Sequence, residues 1–183
     1  MKKVLLFSIF FMISMLSVIA YETIIINFPD GENWEKAYYK KVGNEALLQY
    51  VPYGETSDTW SRSIVVHSYK DRDDRINTFA TNNLRRMQLA NPTTKYKTIK
   101  MSQNDAMFTR CTEKYKNVDA QCEFYKITKV HQGIVSVHYM NKDKENFMNN
   151  YTLWHEIIRN TKFLNSYYRN ERTFNKSIYF ELW

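Results

Sequence analysis

Glycine, proline and cysteine are scarce in this chain, at 4, 3 and 2 of 183 residues. Four scattered glycines cannot build a Gly-rich phosphate cradle of the dinucleotide or the P-loop kind, so nucleotide-dependent enzymes are poor candidates. The two cysteines form no CxxC pair, no HExxH occurs, and His67, His131, His138 and His155 share no metal-ligand spacing. No metal site and no cofactor is therefore assigned. A G-x-S-x-G elbow is missing too, which leaves Ser61, Ser63 and Ser68 beside His67 without the strained turn that would present a nucleophile. The carboxylates Glu55, Asp58, Glu113 and Glu123 are selected by no spacing, and no catalytic residue is named. Internal repeats, low-complexity linkers and blocks of five or more like charges are also absent.

What is present begins with an address. Lys2 and Lys3 head an apolar run from Val4 to Ile19 that ends in Val18-Ile19-Ala20, the pattern of a signal peptide cut near Ala20-Tyr21. The run is short for a membrane span, which needs about 20 apolar residues, and no cysteine follows the cut to carry a lipid. An uncleaved N-terminal anchor is the competing reading. The expected protein is periplasmic or secreted, with no transmembrane anchor after processing, and export argues against DNA as its partner. Residues 1–20 are read as the leader, 21–165 as one domain and 166–183 as a C-terminal extension. Without Lys2 and Lys3 the formal charge falls from +7 to +5, a mild basic excess spread over the chain.

Tyrosine (14), phenylalanine (11) and tryptophan (4) are abundant, and such residues suit half-buried strands. Thr23 to Phe28 reads as a strand closed by Pro29-Asp30-Gly31. Lys36 to Val42 and Glu45 to Val51 flank Gly43-Asn44, a type II′ hairpin signal, with a helix over Trp34 to Lys41 as the competing reading. Thr59 to Tyr69 alternates as a fourth strand. From Asp71 to Gln88 the period becomes helical, with Asp71, Asp73 and Asp74 in its first turn, Arg85 and Arg86 in its last, and Asn91-Pro92 as its stop. Strands follow at Lys95 to Met101, Ala106 to Tyr115, Ala120 to Val130 and Ile134 to Met140. A second amphipathic helix is expected between Asp143 and Phe163, and Ile178 to Trp183 alternates like a strand. The order β-β-β-β-α-β-β-β-β-α predicts an α+β domain, a mostly antiparallel sheet with two helices packed on it.

Cys111 and Cys122 lie equidistant from the midpoint between Lys116 and Asn117, so a hairpin about that turn sets them opposite each other. In an oxidising compartment a disulfide is the expected state, contributing roughly 2 to 3 kcal/mol. The run Tyr50-Val51-Pro52-Tyr53-Gly54-Glu55-Thr56 with Trp60, the cysteine hairpin and Ile134-Val135-Ser136-Val137-His138-Tyr139 resemble a family of small exported bacterial proteins of unknown function. The resemblance covers most of residues 34–160, and the order of elements is similar to the PsbP/Mog1-type sandwich. It implies a fold and a compartment and brings no catalytic residues.

Tyr53, Glu55, Trp60 and Arg62 place aromatic, anionic and cationic groups in one loop-to-strand segment, the mixture that interfaces favour. The functional expectation is a non-enzymatic binding protein whose partner is a protein, an envelope component or a small ligand. Alternatives are a small periplasmic hydrolase using carboxylates or His67, and a secreted factor acting on a host cell.

Overall fold

The period-two stretches form the strands that their alternation predicts. The computed structural model describes residues 22–29, 33–165 and 177–181, and the expected leader lies outside them. The elements are β1 (Glu22–Asn27), β2 (Trp34–Val42), β3 (Glu45–Pro52), β4 (Arg62–Lys70), α1 (Ile76–Ala90), β5 (Lys95–Met101), β6 (Asp105–Thr112), β7 (Gln121–Val130), β8 (Gly133–Asn141), α2 (Lys144–Asn149), α3 (Tyr151–Arg159), β9 (Lys162–Asn165) and β10 (Ser177–Glu181). Seven strands make one antiparallel sheet in the order β2-β3-β4-β8-β7-β6-β5, and β10-β1-β9 make a second. The fold is α+β and mostly antiparallel, as expected. Ser177–Glu181 lies beyond the expected domain end at residue 165, yet it pairs with β1 from Thr23↔Glu181 to Asn27↔Ser177.

Each face of the large sheet carries its own core. On one, Leu48, Ile64, Val66, Phe124, Val135, Val137 and Tyr139 meet Ile24 and Ile26 of β1, Phe147 of α2, and Trp154 and Ile158 of α3. Trp154 lies flat on Tyr139, with ring centroids 3.7 Å apart and planes 8° from parallel, and Trp34 meets its edge at 5.6 Å. Lys126 intrudes into this apolar side, and its ammonium donates to the carbonyls of Arg159 (2.8 Å) and Thr161 (3.2 Å). It thereby satisfies acceptors that the end of α3 leaves open. Burial lowers its pKa, against the pull of Asp105. On the other face α1 sets Ile76, Phe79, Ala80 and Leu84 on Ala106, Phe108, Tyr125, Ile127 and Ile134.

The helices depart from expectation at their ends. Asp71 adopts φ 58°, which closes β4 in a turn and cannot belong to a helix, so α1 starts at Ile76 rather than at Asp71. The three aspartates do not serve its dipole. Asp71 accepts from the Asn44 amide, Asp73 pairs with Lys129 and Asp74 with Arg72. Arg85 and Arg86 likewise fall short of the last turn. The second expected helix is two. Asn149 and Asn150, whose side chains compete for backbone groups, sit at the joint, and Lys162–Asn165 is extended as β9. At the start of α2 the Asp143 carboxylate accepts from the Asn146 N–H at 2.9 Å, a side-chain cap.

The hairpins follow their turn residues. Gly43 has φ 56° and Asn44 is not in the positive region, as a type II′ turn requires, and β2 is a strand rather than the competing helix. Gly133 has φ 153°, and a Cβ there would sit 2.1 Å from the Tyr69 carbonyl oxygen of β4. Cys111 faces Cys122 across β6 and β7 with Cα atoms 4.1 Å apart, and their sulfurs are bonded.

Two outcomes follow for stability. Gly133→Ala combines an unfavourable φ with a backbone collision at the centre of the sheet, and should destabilise by roughly 2 to 3 kcal/mol. Thermal melting should show a drop of several degrees, and an unchanged midpoint would contradict the contact. Cys111→Ser/Cys122→Ser should lower stability by about 2 to 3 kcal/mol through the freed unfolded chain, measured by denaturant titration under oxidising conditions.

Candidate functional site

The face that carries α1 also carries a polar array. Antiparallel register sets Glu123 beside Arg110 and Met140, Tyr125 beside His138 and Phe108, and Ser136 beside His67 and Ile127. Arg110 Nε lies 2.7 Å from Glu123 Oε1, with both side chains almost removed from solvent. The contact is an ion pair without hydrogen-bond alignment, because the N–H is not aimed at the oxygen. His138 Nδ1 stands 3.8 Å from the other carboxylate oxygen, too far for a hydrogen bond. Its ring stacks on Tyr125 at 3.9 Å and its Nε2 is 3.2 Å from Ser136 Oγ. Burial would raise the Glu123 pKa, but Arg110 and His138 outweigh it and hold the carboxyl below its ordinary value.

One strand further on, the His67 Nδ1 is 2.7 Å from the Tyr69 hydroxyl and its Nε2 is 3.5 Å from Glu45 Oε2. Burial lowers the His67 pKa, and His138 adds to that, while Glu45 acts in the opposite sense. The shift favours the neutral ring, whose Nδ1 faces the Tyr69 hydroxyl and whose Nε2 faces Glu45. Burial and Glu45 push the Tyr69 hydroxyl up to about 12, and burial raises that of Tyr125 as well.

These shifts run against acid–base catalysis, which wants a carboxyl raised or a hydroxyl lowered toward pH 7. The shifts instead favour the Glu123 anion and the two neutral phenols. His67 and His138 do share a face, as neighbouring strands allow, yet no three His, Cys, Asp or Glu converge as a metal site among the described residues. A cavity of about 330 Å³ lies elsewhere, between the start of α1 and the hairpin ends, lined by Arg75, Asn77, Gln103, Asn104 and Lys129.

The four residues singled out in the β3–β4 segment are only partly united. Glu55 fastens the loop from within, accepting from the Ser61 N–H at 2.7 Å and its hydroxyl at 2.6 Å. Trp60 is covered by the Lys142 ammonium at 4.5 Å, and Lys142 also pairs with Asp119 at 3.1 Å. Arg62 is engaged elsewhere and lies over Trp34 at 5.5 Å. Tyr53 points outward and is 77% exposed. Sequence reading missed Arg110 as the partner of Glu123, although the symmetry that pairs Cys111 with Cys122 also pairs these two.

Acid titration tests the imidazole environment. A His whose folded pKa is lowered leaves the unfolded chain binding more protons, so stability falls as pH drops below about 6.5 toward the folded value. His67→Gln should flatten that window and leave the steeper loss below about pH 4.5, where Glu123 is protonated in the unfolded chain first. Unfolding titrations at pH 7, 6 and 5 measure it. Glu123→Gln should cost about 3 to 5 kcal/mol at pH 7 by leaving Arg110 buried and unpaired.

Comparison with known proteins finds no curated protein and no solved structure that matches the chain, so the similarity to the PsbP/Mog1-type sandwich gains no support. A family profile does match, over residues 25–166. That span includes β2 to β8, the polar array and the β3–β4 loop, and the chain belongs to this uncharacterised family.

Proposed function

We propose that this chain is an exported, non-enzymatic binding protein that engages its partner through the β3–β4 loop. The observation that carries the reading is an exposed aromatic on a loop held rigid without burial. Besides the two Glu55 hydrogen bonds, Gly54 N–H donates to Glu35 at 2.8 Å, Tyr53 N–H to the Asn33 carbonyl at 2.9 Å, and the Thr56 and Thr59 hydroxyls meet at 2.9 Å. Such a loop loses little conformational freedom on binding, and an exposed tyrosine is a good anchor. Trp60 under Lys142 continues the surface beside it. The outward Tyr53 suits a protein or envelope component better than a small ligand, which would need a concave site.

Export is supported by the leader pattern of residues 1–20 and by the disulfide, which oxidising compartments maintain. No described helix is long and apolar enough to cross a membrane. The hydrolase reading has no comparable support, since His67 is engaged by Tyr69 and its pKa moves away from neutrality.

Two measurements check this. The exported protein should have an intact mass that begins at Tyr21, within a few residues, whereas full-length chain in the membrane fraction would contradict cleavage. Tyr53→Ala should weaken capture of the partner from the native envelope fraction by about tenfold or more, with unchanged melting. Equal capture by variant and wild type would remove the loop from the interface.

A further inference from the structure

The large sheet is covered unequally. Seven strands at about 4.8 Å spacing make a face roughly 30 Å wide, and a helix with its side chains covers only about 10 Å of it. On one face β1, α2 and α3 together bury a core that runs from Leu48 of β3 to Phe124 of β7. On the other, α1 packs over β6 and β7 and reaches β8 and β4 through Ile134 and Tyr69, and no described element lies over β2 and β3. Among the described residues this leaves the strip between α1 and the β2 edge without a covering element, an open trough.

Its floor mixes apolar and neutral polar groups. Register puts Leu47 beside His67 and Gln49 beside Val65, with His138 next in line on β8. Leu47, Val65, His67 and His138 are all half-buried, an intermediate state for side chains in the middle of a sheet. Cations stand on both long walls. Lys40 lies opposite Leu47 on β2 and is exposed, and Arg86 of α1 is exposed while acting electrostatically on the Tyr69 hydroxyl. Glu45, at the end of the floor, is turned to His67. Strand addition at the β2 edge is opposed by the bulge between Lys36 and Tyr38 and by Lys36, Lys40 and Lys41 along it.

We infer that this trough seats an acidic amphipathic helix of a protein partner, its apolar stripe on Leu47 and Val65 and its carboxylates between Lys40 and Arg86. The helix repeats what α1 does on the adjoining strands. Charge selects its chemistry, since cations on both walls attract a helix with acidic flanks and repel a basic one, and the chain carries net positive charge. This site is separate from the β3–β4 loop, and either can fail without the other.

The test uses the protein as exported by its own leader, isotope-labelled and oxidised, titrated with a synthetic fifteen-residue helical peptide bearing a leucine stripe flanked by glutamates. A twin with lysines replacing the glutamates is the control. The glutamate peptide should shift the Leu47 and Val65 methyl signals and the His67 ring signals, and the lysine twin should not. Lys40→Glu/Arg86→Glu should weaken binding at least tenfold, Lys40→Gln/Arg86→Gln less so, and Tyr53→Ala should leave it unchanged. Both double variants carry exposed substitutions, and their melting confirms the fold. Equal binding of the two peptides, shifts confined to other surfaces, no shifts, or broadening of the trough signals with protein concentration alone, which would mean a second copy occupies it, would each overturn the proposal.

Discussion

Strand β8 is the constraint on which the rest of the molecule depends. It lies at the middle of the seven-stranded sheet, between β4 and β7, and it is hydrogen-bonded along its length on both sides. Because side chains alternate, Val135, Val137 and Tyr139 must go to one face and Ile134, Ser136, His138 and Met140 to the other. A one-residue slip would drive Tyr139 away from Trp154 and bring His138 into the aromatic core. Gly133 sets the register at the start of the strand, where only a residue without Cβ fits against the Tyr69 carbonyl.

The two faces consequently have different chemistry. The one closed by β1, α2 and α3 is dominated by ring contacts, with Trp34, Trp154, Tyr139, Phe147 and Phe124 in sequence. Lys126, its one buried cation among the described residues, is consumed by helix-end carbonyls. The other face combines a small core under α1 with a line of ionisable groups whose charges are internally matched. A buried pair such as Arg110 and Glu123 adds little net stability over an apolar packing, but it penalises every arrangement that separates the two. Specification of the β6–β7 register, alongside the disulfide one residue away, is a role consistent with that position.

Two surfaces remain that the fold does not need for its own packing. The β3–β4 loop is held by its own side chains, which frees Tyr53 to face outward, and the trough beside α1 is left by a helix narrower than its sheet. Neither feature resembles a catalytic cleft. The perturbed groups near them have pKa values moved away from those that acid–base catalysis uses.

Much of the local structure was legible in the residues. Apolar runs and alternation identified the strands from β1 to β8, glycine placement gave the Gly43 hairpin, and the midpoint at Lys116-Asn117 paired Cys111 with Cys122. These are short-range properties, each settled within about 20 residues by sterics and side-chain period. Helix ends were less accessible, because Asp71, Asp73 and Asp74 answer to Asn44, Lys129 and Arg72 rather than to the helix that follows. The pairing of β4 with β8, the meeting of His67 with Ser136 and His138, the seating of Arg62 over Trp34, and the uncovered strands beside α1 depend on contacts up to about 80 residues apart. The chain alone determined most of the strands, the two helical regions and the hairpin partners, but not β9, which it read as helix. Only tertiary packing decided which strands distant in sequence became neighbours, since that choice rests on burying two whole faces at once.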